Sequence, residues 1–178
     1  MFKTFYPERY AASAYGIPYA QMKKKGIKGV IFDVDNTLVP HGEPADERAV
    51  NLFSHLRELG LDTCLMSNNK EPRVASFAVQ VDSKYLFKCQ KPGAGGYRKA
   101  MELMGTDRKT TLFVGDQLFT DIWGAKRLGL HNVLVKPIHP KEEIQIVIKR
   151  YLEKLVLFFY GREKKKGGRP LLDWEDKP

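Results

Sequence analysis

The sequence predicts an α/β fold with a parallel, doubly wound sheet. Short apolar runs alternate with stretches of helical periodicity between residues 29 and 135. Three of the predicted helices are followed by a glycine (Gly60, Gly105 and Gly129), the residue that best accepts the left-handed conformation at a helix end. Strands that alternate with helices at this spacing form βαβ units with right-handed crossovers, so we expect the strands to be parallel.

The first strand and the first helix have the clearest patterns. Residues 29–32 are apolar, with β-branched and aromatic side chains and no alternation, which is typical of a buried parallel strand. Apolar side chains recur at three-residue spacing over residues 44–59, which predicts a helix. The remaining predicted elements are, in order, a strand over 61–66, a helix over 73–81, a strand over 85–87, a helix over 95–104, a strand over 111–114, a helix over 121–128 and a strand over 132–135. The sheet is therefore expected to contain five strands.

The composition is that of a single globular domain. The 178 residues are 43% apolar and 29% charged, which is ordinary for a soluble protein with a real core. The two cysteines, Cys64 and Cys89, suggest neither a disulfide framework nor a cysteine-rich metal site, so a reducing, cytoplasmic compartment fits best. We expect no signal peptide and no membrane span, because no sufficiently long apolar stretch occurs.

The net charge of +9 is concentrated at the two ends of the chain. Residues 1–28 carry six Lys and Arg against one acidic residue, and residues 141–178 carry ten against seven, whereas residues 29–140 are nearly balanced at fourteen against thirteen. Such flanks suit an anionic partner, either a lipid headgroup surface or nucleic acid. Solubility alone would also explain them.

Polar side chains follow the ends of the predicted strands. In chain order they are Asp33 and Asp35, then Ser67, Asn68 and Asn69, then Lys91, then Asp116 and Asp121. The carboxyl ends of parallel strands meet at one edge of the sheet, where open α/β sheets bind ligands. An Asp-x-Asp pair alone also fits a calcium turn or a helix cap. The whole set of carboxylates, a hydroxyl and one cation instead favours phosphoryl transfer with Mg²⁺ held by oxygen ligands.

With these motifs the sequence resembles the haloacid dehalogenase-like (HAD) phosphohydrolases. The matching residues, in family order over residues 28–137, are Asp33-Val34-Asp35-Asn36-Thr37, Ser67, Lys91, and Gly115-Asp116 with Asp121. The resemblance implies a Rossmann-like three-layer sandwich with the five-stranded parallel sheet at its centre. It also implies that Asp33 attacks phosphorus to form an aspartyl-phosphate, while Asp35 protonates the leaving oxygen and later activates water.

The resemblance assigns the other site residues as well. Mg²⁺ would be bound by Asp33, the backbone carbonyl of Asp35 and Asp116, with Asp121 supporting these ligands. By the same resemblance, Ser67 and Lys91 would hold the phosphoryl group and the charge that builds in the transition state.

The presence of Asp35 favours a phosphatase over a dehalogenase, because an alkoxide leaving group needs a proton and a halide does not. The hydroxyl of Thr37 would stabilise the turn, orient Asp35, cap the segment or contact substrate. Asn68 and Asn69 fit either turn formation or substrate binding. His41 in the following loop fits a substrate contact or simple exposure.

The motif spacing leaves no room for a cap domain. Only 29 residues lie between Thr37 and Ser67, and 23 between Ser67 and Lys91, and sheet-packing elements use both stretches. The chain most resembles the capless class III enzymes of the YqeG type, which include phosphatidylglycerophosphate phosphatases. That resemblance implies removal of the terminal phosphate of phosphatidylglycerophosphate, at the inner face of a membrane. A phosphatase of soluble or polynucleotide phosphates and a non-catalytic scaffold that binds nucleic acid or protein are the alternatives; the oligomeric state is left open.

Three segments are expected. Residues 1–27 form a basic flank rich in aromatic residues (Phe2, Phe5, Tyr6, Tyr10, Tyr15 and Tyr19), which fits membrane anchoring, stacking on nucleic acid or packing on the core. Residues 28–160 form the phosphatase domain, including an amphipathic helix over 144–160 that fits either packing on the sheet or contact with an anionic bilayer. Residues 161–178 form a basic, flexible tail.

Overall fold

The sheet has six strands, all parallel. The structure is a computed structural model that describes residues 3–139 and 144–164. The strands are β1 (Arg9–Ala11), β2 (Gly29–Phe32), β3 (Asp62–Met66), β4 (Lys84–Leu86), β5 (Thr111–Gly115) and β6 (His131–Val135), in the spatial order β1-β6-β5-β2-β3-β4. The predicted α/β fold with a parallel sheet is confirmed.

Helices cover both faces of the sheet. They are α1 (Tyr19–Lys24), α2 (Glu47–Glu58), α3 (Glu71–Val81), α4 (Ala94–Met104), α5 (Trp123–Arg127) and α6 (Ile144–Lys164). Phe32 packs in one core cluster with side chains of α2 and α3, whereas its neighbour Ile31 packs in a second cluster with side chains of α4 and α5. Because successive strand residues point to opposite faces, these clusters are the two interfaces of a three-layer sandwich.

The prediction of five strands was wrong, because the N-terminal flank contributes β1 at the edge of the sheet. Arg9 pairs with Val133 of β6, and Ala11 pairs with Val135. Three residues that begin with an arginine carry too little periodicity to be recognised as a strand. These residues form a strand because they pair with the edge of β6, which is a tertiary effect.

The described aromatic residues of the flank pack mainly on the domain. The ring of Phe5 lies 5.2 Å from that of Phe119, and the ring of Tyr6 lies 5.4 Å from that of Tyr160. Tyr19 is buried, and its hydroxyl donates a hydrogen bond of 2.7 Å to the carbonyl of Ala14. Of the three interpretations of the flank, packing on the core describes these residues. Tyr15 is half-buried and Tyr10 is partly exposed; Phe2 lies outside the described residues.

The predicted helix over 121–128 begins earlier and with a different geometry. Residues Leu118–Ile122 form a short π-helix that leads directly into α5. The hydroxyl of Tyr97 in α4 contacts the carbonyl oxygens of Thr120 and Asp121, both at 2.9 Å. This contact from a neighbouring helix places Asp121, a predicted site residue, at a fixed position on the π-helix.

The C-terminal helix α6 extends over Ile144–Lys164. It packs on the domain through Val156, which joins Leu118, Ile122 and Leu134 in a third apolar cluster. Within residues 3–139 and 144–164, no helix combines the length and the apolar character needed to cross a bilayer. Residues 161–164 of the expected tail continue this helix, and the rest of the tail, 165–178, lies outside the described residues.

Candidate active site

The strand register brings the motif residues to one edge of the sheet. Phe32 pairs with Leu65 of β3 and with Val114 of β5, so β2, β3 and β5 end at the same level. Asp33, Ser67 and Asp116 follow these three strand ends. All three side chains are buried. The edge predicted from the sequence is thus formed as expected for a parallel sheet.

Lys91 links two of the carboxylates. Its ammonium lies 2.5 Å from Oδ1 of Asp33 and 2.8 Å from Oδ1 of Asp121, and its side chain is only 3% exposed. Burial lowers the pKa of Lys91, but the charges of Asp121 and Asp33 outweigh it, so the pKa is raised and the ammonium form persists. The structure therefore holds one cation between two buried acids.

Asn68 holds the backbone of Lys91. Its Oδ1 accepts a hydrogen bond of 2.8 Å from the backbone N–H of Lys91, and its Nδ2 donates to the carbonyl oxygen of the same residue at 3.4 Å. Both contacts join the segment after β3 to the segment after β4. Asn68 thus holds the backbone that carries the Lys91 ammonium.

Asp33 lies at the centre of the site. Burial is the largest influence on its carboxyl and, with the charge of Asp121, raises the pKa of Asp33 to about 6, although Lys91 lowers it. Near neutral pH the carboxylate form predominates, which is the form a nucleophile needs. The hydroxyl of Thr37 lies 3.1 Å from Oδ2 of Asp33 and 3.2 Å from Oδ1 of Asp116. Its single hydrogen can therefore be donated to either carboxylate.

Three carboxylates form a candidate metal site. Asp33, Asp116 and Asp121 each offer one oxygen, and these oxygens all lie within 4.8 Å of one another. An all-oxygen, anionic and buried set suits a hard divalent cation such as Mg²⁺. Asp35 was predicted to contribute its backbone carbonyl to the metal site, and its carboxylate makes its contacts elsewhere.

Gly115 explains how Asp121 reaches this group. A Cβ at residue 115 would lie 2.6 Å from Oδ2 of Asp121, closer than side chains approach one another. The same Oδ2 accepts a hydrogen bond of 3.0 Å from the backbone N–H of Gln117. A glycine before Asp116 therefore leaves space for the carboxylate that the π-helix directs toward Lys91.

Asp35 is held by a separate set of donors. Its carboxylate accepts hydrogen bonds from the backbone of Gly42 at 2.8 Å, from Nδ2 of Asn69 at 2.7 Å and from the guanidinium of Arg73 at 3.0 Å. Burial raises the pKa of Asp35, but these hydrogen bonds and the charge of Arg73 outweigh it and hold the pKa below its usual value. His41 lies 3.9 Å away and is largely exposed.

Arg73 is the residue that sequence reasoning missed. We expected residue 73 only as the start of a helix, but it lies in the first turn of α3 and reaches Asp35. A signal was available, since a helix that starts directly after a strand end presents its first turn to the catalytic edge. A cation there, six residues after Ser67, was a candidate partner for the acids.

Ser67 is placed at the edge but contacts its own loop. Its hydroxyl accepts a hydrogen bond of 3.1 Å from the backbone N–H of Asn69. The two intervals that would hold a cap contain only sheet-packing elements: α2 and β3 lie between Thr37 and Ser67, and α3 and β4 lie between Ser67 and Lys91. As expected, these two intervals contain no cap domain.

The sequence is similar to those of known proteins. Residues 88–144 match the family model described as HAD-hydrolase-like. The chain is 30% identical over 175 residues to a Bacillus subtilis protein named "Probable phosphatase YqeG", and the match covers 98% of each chain. It is 29% identical over 171 residues to phosphatidylglycerophosphate phosphatase 1 of Arabidopsis thaliana, covering 87% of this chain and 47% of the plant protein.

The fold is also similar to solved structures. A 3-deoxy-D-manno-octulosonate 8-phosphate phosphatase from Yersinia pestis aligns with a TM-score of 0.50 at 14% identity, covering 66% of this chain and 77% of the other. At this level of identity the likeness concerns the fold alone.

Proposed function

The chain belongs to the HAD-like phosphatases, in the branch represented by YqeG, and we propose that it is a Mg²⁺-dependent phosphomonoesterase that converts phosphatidylglycerophosphate to phosphatidylglycerol. The observation that carries the proposal is the grouping of Asp33 with Lys91, Asp116 and Asp121 at an open sheet edge, with Asp35 held separately beside it. One carboxylate is thereby available as nucleophile and another as acid and base.

The first half of the proposed reaction forms a covalent intermediate on Asp33. One of its oxygens bonds to phosphorus while the phosphorus–oxygen bond of the ester breaks. Asp35, which its three donors otherwise hold as a carboxylate, gives the leaving oxygen the proton that it took from water in the preceding turnover. Lys91, Ser67 and the backbone N–H groups of the edge hold the phosphoryl oxygens. In the second half, a water oxygen bonds to phosphorus, Asp35 accepts the water proton, and the bond to Asp33 breaks to release inorganic phosphate.

The proposed metal ligands are Asp33, Asp116, Asp121 and the backbone carbonyl of Asp35. Bound Mg²⁺ would supply positive charge at the phosphoryl oxygens, in addition to that of Lys91. The buried position of the three carboxylates supports a resident cation, since one ammonium offsets only part of their charge. Thr37, which contacts two of them, would orient the ligands rather than bind substrate.

A phospholipid substrate is supported by three observations. No cap domain lies between the motifs, so none would exclude a headgroup that stays in a bilayer. The plant relative is named for its action on phosphatidylglycerophosphate. The chain carries a net charge of +9, which favours the anionic inner face of a membrane and hence a cytoplasmic, peripheral location.

The geometry gives less support to nucleic acid as a partner. Four aromatic residues that we considered for base stacking, Phe5, Tyr6, Tyr15 and Tyr19, are buried or half-buried on the domain. Stacking needs an exposed ring face. A soluble phosphomonoester remains the alternative substrate, and a direct comparison separates the two.

The test is Mg²⁺-dependent phosphate release from phosphatidylglycerophosphate in mixed micelles, beside a panel of soluble phosphomonoesters. The matched control is Asp33→Asn, which preserves the shape of the side chain but removes the nucleophile. Release from the lipid that is lost in the variant supports the proposal. Release from soluble esters alone would keep the chemistry and reject the lipid substrate, and full turnover by the variant would reject the mechanism.

A further inference from the structure

The helix α6 has one face packed on the domain and one face whose large apolar side chains are exposed. Val156 is buried against the third apolar cluster, and Glu153 is buried with Oε1 accepting a hydrogen bond of 2.7 Å from the backbone N–H of Leu118. The opposite side exposes five large apolar side chains, Tyr151, Leu152, Leu155, Phe158 and Phe159, each 38–68% exposed. This exposed face of α6 consists of those five residues with Lys154 and Arg162.

The exposed face of α6 is continuous, unlike the other exposed apolar residues. Its side chains follow one another at helical spacing in two adjacent rows, one of residues 151, 155, 158 and 162 and one of residues 152, 155 and 159. The two rows form a single stripe. The remaining large apolar residues that are exposed in the described part of the chain are single residues on separate elements: Tyr10, Val50, Val79, Phe87 and Leu103. Scattered residues need no explanation, whereas a contiguous apolar patch indicates a binding surface.

Two cations lie within the stripe. The ammonium of Lys154 is 5.2 Å from the ring centre of Tyr151, and the guanidinium of Arg162 is 5.1 Å from the ring centre of Phe158. Aromatic rings paired with basic groups are typical of a helix at the level of lipid headgroups, with its apolar residues toward the acyl chains. The positive charge of residues 141–178 is complementary to an anionic surface.

Resting on the phosphatase function proposed above, we propose that the exposed face of α6 docks onto the surface of an anionic lipid bilayer and brings the catalytic edge to the headgroups. The link to the site is short. Glu153 contacts Leu118, the first residue of the π-helix that carries Asp121. A docked α6 is therefore in direct contact with the segment that carries one of the three site carboxylates.

The test measures vesicle binding and activity side by side. Full-length protein is sedimented with vesicles of phosphatidylcholine alone and with vesicles of equal parts phosphatidylcholine and phosphatidylglycerol. The test variant carries Leu155→Ser and Phe158→Ser. The matched control carries Val79→Ser and Leu103→Ser, which remove exposed apolar side chains from α3 and α4. Hydrolysis of p-nitrophenyl phosphate and of phosphatidylglycerophosphate in the same vesicles is measured for all three proteins.

We expect the wild type and the control to bind the anionic vesicles, with weaker binding at high salt. The α6 variant should partition onto them about tenfold less or weaker still, hydrolyse p-nitrophenyl phosphate at the wild-type rate, and lose turnover of vesicle lipid in proportion. Absence of binding by the wild type, or equal binding by the variant, would overturn the proposal and leave a protein as the occupant of this face. Vesicle binding without hydrolysis of either substrate would instead reject the proposed function and leave the docking surface standing.

Discussion

The guanidinium of Arg73 donates a hydrogen bond of 3.0 Å to Oδ1 of Asp35, from the first turn of the helix that follows β3. Together with Asn69 and Gly42, it fixes a carboxylate that is otherwise carried on a loop. The proposed nucleophile, Asp33, is therefore held by Lys91, and the proposed acid and base group, Asp35, is held separately by Arg73.

Replacing Arg73 should affect the step that involves the leaving group. In Arg73→Gln the carboxylate of Asp35 keeps two of its three donors but loses its charged partner. The pKa of Asp35 should then rise, and the side chain is no longer held in one position. Because a misplacement of about 1 Å can cost about a hundredfold in rate, we expect kcat on alkyl phosphates to fall between about tenfold and a hundredfold. Turnover of p-nitrophenyl phosphate should fall less, because that leaving group needs little protonation.

The control for this experiment is Arg98→Gln, which removes an exposed arginine from α4. It should leave both substrates unaffected. An equal loss on alkyl and aryl phosphates in Arg73→Gln would show that Arg73 serves general folding or substrate binding instead of positioning Asp35.

Lys91→Met should destabilise the protein in the absence of metal. The substitution leaves Asp33 and Asp121 buried without their shared cation, and breaking a buried ion pair costs about 3–5 kcal/mol. We expect the free energy of unfolding, measured in urea at neutral pH, to fall by roughly 3 kcal/mol, and by less when Mg²⁺ is present. Lys99→Met on the surface of α4 is the control. Identical unfolding midpoints for Lys91→Met and the wild type would contradict the role of Lys91.

Gly115→Ala should impair the site, whereas Gly95→Ala should not. The added methyl group at 115 would overlap Asp121, which then has to leave its position beside Lys91. No atom lies within 4 Å of a Cβ at residue 95, which is in α4, so alanine there is expected to stabilise the helix by about 0.5–1 kcal/mol. Activity and thermal unfolding of the two variants provide the comparison. Wild-type activity in Gly115→Ala would show that the close approach is not required.

Binding of a divalent cation should depend on Asp116. Mg²⁺ at a hundredfold excess over its dissociation constant should stabilise the wild type by about 2.7 kcal/mol, because it binds the folded state. This stabilisation by Mg²⁺ should disappear in Asp116→Asn and persist in Asp107→Asn, whose carboxylate is exposed and is not part of the candidate metal site. A metal-induced shift of equal size in Asp116→Asn would exclude this carboxylate as a ligand.

The ion pair between Glu8 and His131 should make stability depend on pH. The Nδ1 atom of His131 lies 3.0 Å from Oε2 of Glu8. This hydrogen bond raises the pKa of His131, although burial opposes it. Because the pKa of His131 is raised in the folded state, the pair contributes fully to the free energy of unfolding below the pKa of an unfolded histidine, about 6.5. This contribution is lost as the pH rises through the pKa of His131 in the folded protein. Because both groups are partly exposed, it is worth less than about 1 kcal/mol.

We therefore expect Glu8→Gln to lower the free energy of unfolding at about pH 5.5 more than at about pH 8.5. The exposed loop residue Glu43 provides the control, as Glu43→Gln. Equal destabilisation at the two pH values would indicate that the contact does not involve the charged imidazole.

The sequence predicts those parts of the fold that local patterns determine. The central strands and their helices follow from apolar runs and periodicity, and the motif residues Asp33, Ser67 and Asp116 follow from their positions at strand ends. Because parallel strands end at a common edge, their proximity could be predicted without coordinates.

The missing parts depend on contacts between distant segments. The strand β1 exists because Arg9–Ala11 pairs with β6, more than 120 residues away, and the π-helix Leu118–Ile122 is held by Tyr97 of α4. The contacts of Asn68 with Lys91 likewise join two loops. Local sequence carries no information on such pairings, and for this reason the strand count and the start of the helix near residue 121 were wrong.

The most direct measurement is a single turnover of p-nitrophenyl phosphate, whose leaving group needs little protonation, by Asp35→Asn with Mg²⁺, quenched in acid and analysed by peptide mass spectrometry. Without Asp35 the water that attacks the intermediate is not activated, so we predict one phosphoryl group on the peptide that contains Asp33 and none on the same peptide of the Asp33→Asn, Asp35→Asn double variant. Release of phosphate by the wild type with no phosphoryl group trapped on Asp33 in Asp35→Asn would contradict the proposed mechanism.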